Sequence, residues 1–414
     1  MNKGILQWVR THYTKIANSI AFYPAIIAIC FLFLSWVMLK IDFSVWGKHF
    51  KQQLSWLSLK DASTARTIVS TITAGILSLT VFSFSMVMIV LNQAASQMSN
   101  RVLTSMIENR FQQIVLGFYI GTIVYALFLL STIRNIQSGI YVPAISIYLL
   151  ILLTVINIFL FIYFLDYVTQ TVKFETVIER VKQQTLHTMK KQYCNHSEDI
   201  ITTLNSEQPV TKVYNKQSGY YQDFDKKQLM KIAKEEDIFF VFQQQTGTYL
   251  IEHSCLLLLY GKAAISSELE KKLLLAVDFF NGQPVDRNAD YGFKHLAEVA
   301  IKALSPGIND PATAVLSINA LSSLFAYRLY HCMPAVIKDE EGKPRIFIKP
   351  SSFKELFENC MLPIWDYGKN DRYIQNAMLH MLQQLRVADI EKKQEPVLNK
   401  LMNKVKAQTE NNQD

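Results

Sequence analysis

The stretch Pro143–Leu165, PAISIYLLILLTVINIFLFIYFL, contains no Asp, Glu, Lys, Arg or His. A helix of this length crosses a hydrocarbon core of about 30 Å, because each residue adds about 1.5 Å. Inside a bilayer every backbone amide and carbonyl must bond within its own segment, so such a run is predicted to be a helix. Pro143 suits the first turn of that helix, where its missing N–H leaves no bond unmade.

Three further apolar runs precede this stretch, and none of them carries an ionised side chain. Together the four runs predict transmembrane helices at 19–39, 68–91, 114–132 and 143–165, which form a membrane domain of residues 19–165. The first run is too long for the apolar part of a signal peptide, so it is interpreted as an uncleaved helix.

The composition of the chain agrees with a membrane protein. Of its 414 residues 50% are hydrophobic and 18% are charged, whereas a soluble protein carries about 25% charged residues. The net charge is +8. Lys and Arg flank the apolar runs, which favours contact with an anionic lipid surface, and no nucleic-acid-binding motif is present. The predicted partner is therefore the lipid bilayer, and nucleic acid is not expected.

The distribution of Lys and Arg predicts the orientation. Four spans place both termini on one side, and that side carries Arg101 and Arg110 as well as the basic lead at residues 1–18. The positive-inside rule makes this side cytoplasmic, although Lys48 and Lys51 in the first outer loop oppose the bias.

After the fourth span the pattern changes to that of an α+β cytoplasmic region. Residues 166–192 are amphipathic and predict a stalk helix that continues the fourth span. Residues 193–265 predict a small α/β lobe, with strands at Gly219–Phe224, Ile238–Gln243, Thr248–Glu252 and Leu256–Tyr260 and a helix after Asp225. Residues 266–390 predict a mainly helical domain that includes a helix over Ser267–Phe280, and residues 391–414 predict a disordered tail.

The sequence contains no sign of a metal or cofactor site. The five cysteines are scattered without a C-x-x-C, which indicates neither a zinc site nor a disulfide framework. No P-loop, Rossmann glycine pattern, G-x-S-x-G or H-E-x-x-H is present, and this favours a non-enzymatic protein. No cofactor and no metal are predicted.

The most distinctive local motif is ALSPGINDPATA at Ala303–Ala314. Pro and Gly end the preceding helix, and Asp310 followed by Pro311 is typical of a helix N-cap and first turn. This structural interpretation, a rigid corner between two helices, competes with a polar site. The catalytic candidates for such a site are Arg287, His295 and Asp310, and the further ligand-binding candidates are Asp290, Glu298 and Asn309.

Two membrane features are also candidates. The segment after the second span is polar, and its Gln97 and Arg101 could touch lipid head groups or line a vestibule. The second span is rich in small hydroxyl residues and the third contains G-x-x-x-G, both of which favour close helix packing or, for the hydroxyls, a pore. The residues concerned are Thr71, Gly75, Ser78, Ser85, Gly117 and Gly121.

Several blocks of the sequence resemble an uncharacterised family of predicted bacterial multi-pass membrane proteins. They include VFSFSMVMIVLNQAASQMSNRVL, QQIVLGFYIGTIVYALFLL, FIYFLDYVTQTVKFETVIERV, SGYYQDFD, NADYGFKHLAEVAIKALSPGINDPATA and IWDYGKNDR. The chain departs from the family pattern at Met98-Ser99-Asn100, where Phe-Gly-Pro is usual, and at Asn288, where Thr is usual. The resemblance implies a four-helix membrane region with a cytoplasmic domain, and it implies no activity.

Three hypotheses of function follow. The leading one is a ligand- or partner-sensing homo-oligomer of the bacterial inner membrane, with both termini cytoplasmic and with a pore as one version. The second is a membrane enzyme with its site at the SPGINDP corner. The third is a membrane scaffold that recruits other proteins.

Overall fold

The computed structural model describes residues 21–47, 49, 61–97, 110–136, 139–171, 173–195, 210–262, 264–279 and 284–411. The chain divides into two compact units, Met1–Lys173 and Phe174–Asp414. The first consists mainly of long apolar helices and the second combines helices with sheets, so the structure confirms the predicted fold class.

The first unit holds four long helices, each with a stretch long and apolar enough to cross a membrane. These stretches are Phe22–Phe43, Ala62–Asn92, Phe111–Thr132 and Ala144–Gln170, and all four predicted spans lie mostly within them. The elements are α1 (Phe22–Phe43), α2 (Ala62–Gln97), α3 (Arg110–Thr132), the hairpin of β1 (Arg134–Ile136) and β2 (Gly139–Tyr141), and α4 (Ala144–Thr171).

Helix α3 packs against α1, α2 and α4 and so occupies the centre of the first unit. Its two glycines permit the close approach of α1. A Cβ atom at Gly117 would lie 2.6 Å from Ile27 Cδ1, and one at Gly121 would lie 2.8 Å from the Phe31 ring. The G-x-x-x-G motif therefore serves packing within the chain, since the space it leaves is filled by α1.

A buried carboxylate joins the end of α1 to the start of α4. The two Asp42 oxygens accept hydrogen bonds from the backbone amides of Ile145 and Ser146 at 3.2 and 2.8 Å, and from Ser146 Oγ at 2.5 Å. Asp42 is 1% exposed. It satisfies amides of the first turn of α4 that have no acceptor within their own helix. A distant residue thus performs the role of an N-cap.

The second unit, which is α+β, contains eight helices among its described residues. They are α5 (Phe174–Gln192), α6 (Lys226–Glu235), α7 (Ser267–Leu275), α8 (Ala289–Ala303), α9 (Pro311–Tyr330), α10 (Phe353–Gly368), α11 (Arg372–Ala388) and α12 (Glu395–Asn411). The strands are β3 (Cys194–Asn195), β4 (Val210–Tyr214), β5 (Gly219–Phe224), β6 (Phe239–Phe242), β7 (Tyr249–Leu250), β8 (Cys255–Tyr260), β9 (Val277–Phe279), β10 (His331–Cys332), β11 (Val336–Lys338) and β12 (Pro344–Phe347).

The main sheet has five strands in the order β11-β12-β6-β8-β4, and a smaller sheet has the order β7-β5-β9. In the main sheet β12 runs parallel to β6 and the other neighbours are antiparallel. Phe240 and Leu259 of this sheet form a core with Leu229 of α6 and Leu273 of α7. Because β11 and β12 come from residues 336–347, the lobe expected at 193–265 also recruits strands from the region expected to be a separate helical domain.

The expected stalk at 166–192 is divided between two helices. Helix α4 ends at Thr171 and α5 begins at Phe174, with Lys173 outside both. Helix α5 buries Val177, Ile178 and Val181 and packs on α8 and α9. A Cβ atom at Gly292 of α8 would overlap Thr185 Oγ1 of α5. The amphipathic pattern therefore marks a core helix of the second unit.

Two further expectations differ from the structure. The expected helix over Ser267–Phe280 ends at Leu275, because Val277–Phe279 pairs with β5 as a strand. The expected disordered tail at 391–414 contains α12, which packs on α11. Its Leu398, Leu401 and Val405 recur at helical spacing and are buried, and this apolar face supplies the packing that the charged composition concealed.

Candidate functional site

The SPGINDP corner is a tightly bonded connection between α8 and α9. The Asp310 carboxylate caps α9, with one oxygen accepting from the Thr313 amide at 3.1 Å and the other from Thr313 Oγ1 at 2.6 Å. The Asp310 amide donates to Ala303 O at 2.8 Å. Asn309 has a φ of +48° and is exposed. Since both Asp310 oxygens are engaged, the geometry matches the helix-cap interpretation of this motif.

The three catalytic candidates do not converge at this corner. Asp310 is bonded to the last residue of α8, whereas Arg287 precedes the first residue. The 15 residues of α8 span about 22 Å. His295 lies midway along this helix and is buried. The arrangement therefore offers no single site in which Arg287 and Asp310 could act on one substrate.

The residues near the start of α8 have local partners instead. Arg287 forms an ion pair with Asp278 at 2.9 Å. Tyr193 donates to an Asp290 oxygen at 3.4 Å, and the Arg328 guanidinium lies 5.0 Å from the Tyr193 ring centre. Burial raises the pKa of the Tyr193 hydroxyl, the charge of Asp290 raises it further, and Arg328 opposes this shift. These contacts fix the connection between α5 and α8.

The remaining ligand-binding candidates, Glu298, Gln97 and Arg101, do not form a cluster of polar side chains among the described residues. Glu298 is half-buried on α8. The Gln97 side chain and all of Arg101 lie outside the described residues. Within the part of the chain that the structure describes, no group of three or more His, Cys, Asp or Glu residues could hold a metal ion.

The small residues of α2 that the sequence suggests for a pore or for helix packing all lie on its exposed surface. The side chains of Thr71, Ser78 and Ser85 are exposed, and a Cβ atom at Gly75 would meet no other atom within 4 Å. Ser78 Oγ donates to the carbonyl of Ala74 at 3.0 Å, so a bond within the helix satisfies this hydroxyl. These positions of α2 are therefore exposed within the described part of the first unit, in contrast to the glycines of α3.

A cleft of ≈ 120 Å³ lies between α2, α3 and α4, on the side of the first unit where α2 and α4 end. Its wall is almost entirely apolar. The lining residues are Ser83, Phe84, Val87, Met88, Leu91, Gln112, Gln113, Val115, Leu116, Tyr119 and Phe164. Phe84 and Met88 are more than half exposed on the outer surface of α2, which leaves the cleft accessible from the lipid side of the helix.

Three lining side chains carry a buried polar atom that makes no hydrogen bond of normal geometry among the described residues, although the Ser83 and Tyr119 hydroxyls lie near enough to each other to interact. These atoms are Ser83 Oγ, Gln113 Oε1 and Tyr119 Oη. Buried polar atoms are nearly always bonded in native proteins, so each such atom requires an explanation. Elsewhere in this unit the buried Tyr125 hydroxyl donates to Ser146 O at 3.0 Å, whereas Asn157 Oδ1 also lacks a partner among the described residues but does not line the cleft. The cleft is therefore the candidate functional site.

The sequence interpretation did not select these three residues. Ser83 is one of many hydroxyls in the second span, and Gln113 lies just before the predicted start of the third span at Ile114. Tyr119 lies inside the G-x-x-x-G motif, between its two glycines. Gln113 is a polar residue at the start of an apolar helix, which is visible in the sequence. Its position beside a cleft follows only from the packing of α2 against α3.

Comparison with known proteins gives a family but no activity. The model of a family described as predicted membrane protein, DUF2254, matches residues 17–384. Relatives include Uncharacterized protein Rv1290c of Mycobacterium tuberculosis and Uncharacterized protein Mb1321c of Mycobacterium bovis. Each is 22% identical over 327 residues, which cover 77% of this chain and 63% of the relative.

This chain therefore spans less than two thirds of the length of these curated relatives. No solved structure matches it. The family model covers most of the chain, including the four apolar helices and most of the second unit. The protein belongs to the DUF2254 family of predicted membrane proteins.

Proposed function

We propose that the protein is a non-enzymatic membrane sensor whose ligand is an uncharged amphiphile bound in the cleft between α2, α3 and α4. The observation that carries this proposal is that an apolar cleft contains the buried acceptor Gln113 Oε1, which has no partner among the described residues, together with the neighbouring hydroxyls of Ser83 and Tyr119. Ligand sites commonly combine an apolar wall with a few polar groups that orient the ligand.

The wall determines the chemistry of the ligand. Gln113 Oε1 is an acceptor only, whereas the hydroxyls of Ser83 and Tyr119 can donate or accept. No Asp, Glu, Lys, Arg or His is among the lining residues. An alcohol or amide head group that donates one hydrogen bond would match this set, while an ionised head group would be desolvated without a counter-charge.

The size of the cleft limits which part of the ligand it encloses. Its volume of ≈ 120 Å³ is somewhat below that of an apolar cavity of about 150 Å³ that takes up benzene. It would hold the head group and the first methylene groups of an alkyl chain. The rest of the chain would extend past Phe84 and Met88 into the surrounding lipid, since these side chains form the exposed edge of the cleft.

A photoactivatable long-chain alcohol with a diazirine near its hydroxyl end tests this proposal. Full-length protein in phosphatidylcholine vesicles should be labelled within residues 83–91 and 112–119. Gln113→Leu should lower this labelling about threefold to tenfold, the effect of one hydrogen bond. A control is Ser78→Ala, which removes an exposed hydroxyl of α2 outside the cleft and should leave the labelling unchanged.

Labelling that is spread over lipid-exposed side chains such as Phe159 and is insensitive to Gln113→Leu would contradict the proposal. A second probe, with a trimethylammonium head on the same chain, has no donor and carries a charge. It should label the cleft less than the alcohol does, and equal labelling by both probes would also contradict the proposed ligand class.

The proposal also includes the location and the assembly of the protein. We place it in the bacterial inner membrane as an assembly of identical copies, with both termini cytoplasmic. The exposed small residues of α2 would allow a second helix to approach closely. In a cysteine-free background, Ser78→Cys should then form bis-maleimide-linked dimers in membranes, and Phe159→Cys on the exposed face of α4 should not. Equal cross-linking of both variants would oppose contact through α2.

The pore version of this assembly rests on the same exposed hydroxyls, including Thr71 and Ser85. Vesicles that contain the protein should then leak ions faster than empty vesicles, and Thr71→Val should reduce the leak. Flux equal to that of empty vesicles removes the pore version and leaves ligand binding in the cleft untouched.

A further inference from the structure

Two cysteines lie directly opposite each other in the short ladder of β3 and β10. Cys194 pairs with Cys332, and Asn195 pairs with His331, in antiparallel register. Side chains of directly opposed residues project from the same face of a ladder, with Cβ atoms about 4.5–5.5 Å apart. The two thiols are therefore neighbours, although 138 positions separate them in sequence.

This placement is close to what a disulfide requires. A disulfide joins Cβ atoms about 3.5–4.5 Å apart, so a closure of about 1 Å suffices. Cys194 Sγ already lies 3.5 Å from the backbone oxygen of Cys332, which shows that the side chain is directed across the ladder. Neither residue is joined in a disulfide in the structure.

The surroundings of the pair hold both strands in place. The Arg328 guanidinium donates to His331 O at 2.9 Å and to Ser351 O at 2.6 Å, and it lies over the ring of Tyr193. One strand follows the end of α5 and the other follows the end of α9. Because these helix ends are fixed, the two sulfur atoms meet without a search through many conformations.

The other cysteines lack this arrangement. Cys360 is buried, and burial raises the pKa of its thiol to about 12. Cys255 lies opposite Tyr214, and burial raises the pKa of its thiol as well. Cys30 belongs to the apolar helix α1. Cys194 is exposed on the second unit, outside the apolar helices, so a small oxidant in water can reach it.

We propose that Cys194 and Cys332 form a redox site that a hydroperoxide oxidises to a disulfide. The Cys194 thiolate attacks the peroxide, an S–O bond forms, the O–O bond breaks and one water (or alcohol) leaves. The Cys332 thiolate then attacks the sulfenic sulfur, the S–S bond forms and the S–O bond breaks, releasing a second water. Two thiols and one peroxide thus yield a disulfide and two hydroxylic products; a dithiol then reduces the disulfide to the two thiols by exchange and is itself oxidised to a disulfide.

The disulfide would fasten the end of α5 to the end of α9, two helices that pack together in the second unit. In the unfolded chain it would close a long loop, so oxidation should raise the melting temperature of this unit by about 5 °C or more. The reduced protein would keep the same ladder with a weaker constraint between the two helix ends.

Non-reducing peptide mapping by mass spectrometry tests the proposal on full-length protein in detergent. After treatment with hydrogen peroxide, the peptide that contains Cys194 should be linked to the peptide that contains Cys332, and dithiothreitol should separate them. Cys332→Ser should leave Cys194 as a sulfenic acid that dimedone traps. Cys194→Ser should abolish the link, and the control Cys255→Ser should leave it intact.

Three outcomes would overturn the proposal. The first is a Cys194 that remains a thiol while the peroxide already oxidises exposed methionines. The second is a Cys194 linked between two chains and not to Cys332. The third is dimedone trapping at Cys194 in the wild type equal to that in Cys332→Ser, since this would show that Cys332 does not resolve the sulfenic acid.

Discussion

The SPGINDP corner and the α2–α3–α4 cleft both contain polar side chains, but these side chains are bonded differently. At the corner, both Asp310 oxygens accept hydrogen bonds from Thr313, and the backbone atoms around them are also bonded. At the cleft, Gln113 Oε1 has no partner among the described residues, and the Ser83 and Tyr119 hydroxyls lie near each other without a hydrogen bond of normal geometry. The corner is conspicuous in the sequence, and the cleft is not.

A motif that is distinctive in the sequence therefore need not contain a polar group that is available to a ligand. A hydrogen bond that a side chain makes to its own fold stabilises the fold and is no longer available to a ligand. Substitution of a bonded group should therefore lower stability, whereas substitution of an unbonded group should alter binding and leave stability unchanged or higher.

The largest effect is expected at Asp42, which shares the capping role of Asp310 but is buried in the first unit. Asp42→Ala would leave the amides of Ile145 and Ser146 and the Ser146 hydroxyl unpaired, which should cost about 3 kcal/mol of unfolding free energy. Unfolding of detergent-solubilised protein with sodium dodecyl sulfate measures this loss.

Asp61 provides a matched control, because it is an exposed cap at the start of α2. It accepts from the amides of Ser63 and Thr64 at 3.0 and 2.9 Å. Water can replace those bonds, so Asp61→Ala should cost only about 1 kcal/mol. Equal losses at Asp42 and Asp61 would show that burial does not strengthen the role of Asp42.

An intermediate effect is expected at the corner. Asp310→Ala removes the cap of α9 and should lower the unfolding free energy by about 1 kcal/mol, while Asp310→Asn keeps an acceptor oxygen and should cost a few tenths. Thermal unfolding, followed by the circular dichroism of the helices, distinguishes the two variants. If the Asp310→Asn protein is stable but does not complement a deletion strain, the Asp310 carboxylate has a chemical role. The corner would then not be a purely structural feature.

The smallest effect on stability is expected at the cleft. Gln113→Leu replaces a buried, unbonded acceptor by an apolar group of similar size, so the unfolding free energy should stay unchanged or rise by up to about 1 kcal/mol. The same unfolding assay as for Asp42 applies. A loss of more than about 1 kcal/mol would mean that Gln113 has a structural partner after all, and the cleft would then resemble the corner.

The sequence predicted those features that depend on neighbours in the chain. The four apolar helices follow from uninterrupted runs, and the Asp310 cap follows from the adjacent Pro311. The cleft could not be predicted, because the bonding of Gln113 depends on which residues of α2 face it. The capping role of Asp42 could not be predicted for the same reason, since its partners lie more than 100 positions away in the sequence.

The two errors at the ends of the second unit have a different origin. The charged composition after residue 390 predicts disorder, although Leu398, Leu401 and Val405 form a buried helical face. The apolar positions of 166–192 recur without a break and predict one helix, because no glycine or proline marks the change at Lys173.

The position of α5 has a practical consequence for anyone who wishes to prepare the second unit without detergent. Val177, Ile178 and Val181 belong to its interior, so a fragment cut at the apparent end of the stalk, near residue 193, would expose the apolar surfaces of α8 and α9 and aggregate. A fragment that begins at Phe174 retains that helix, so the preparative boundary lies between the end of α4 at Thr171 and the start of α5.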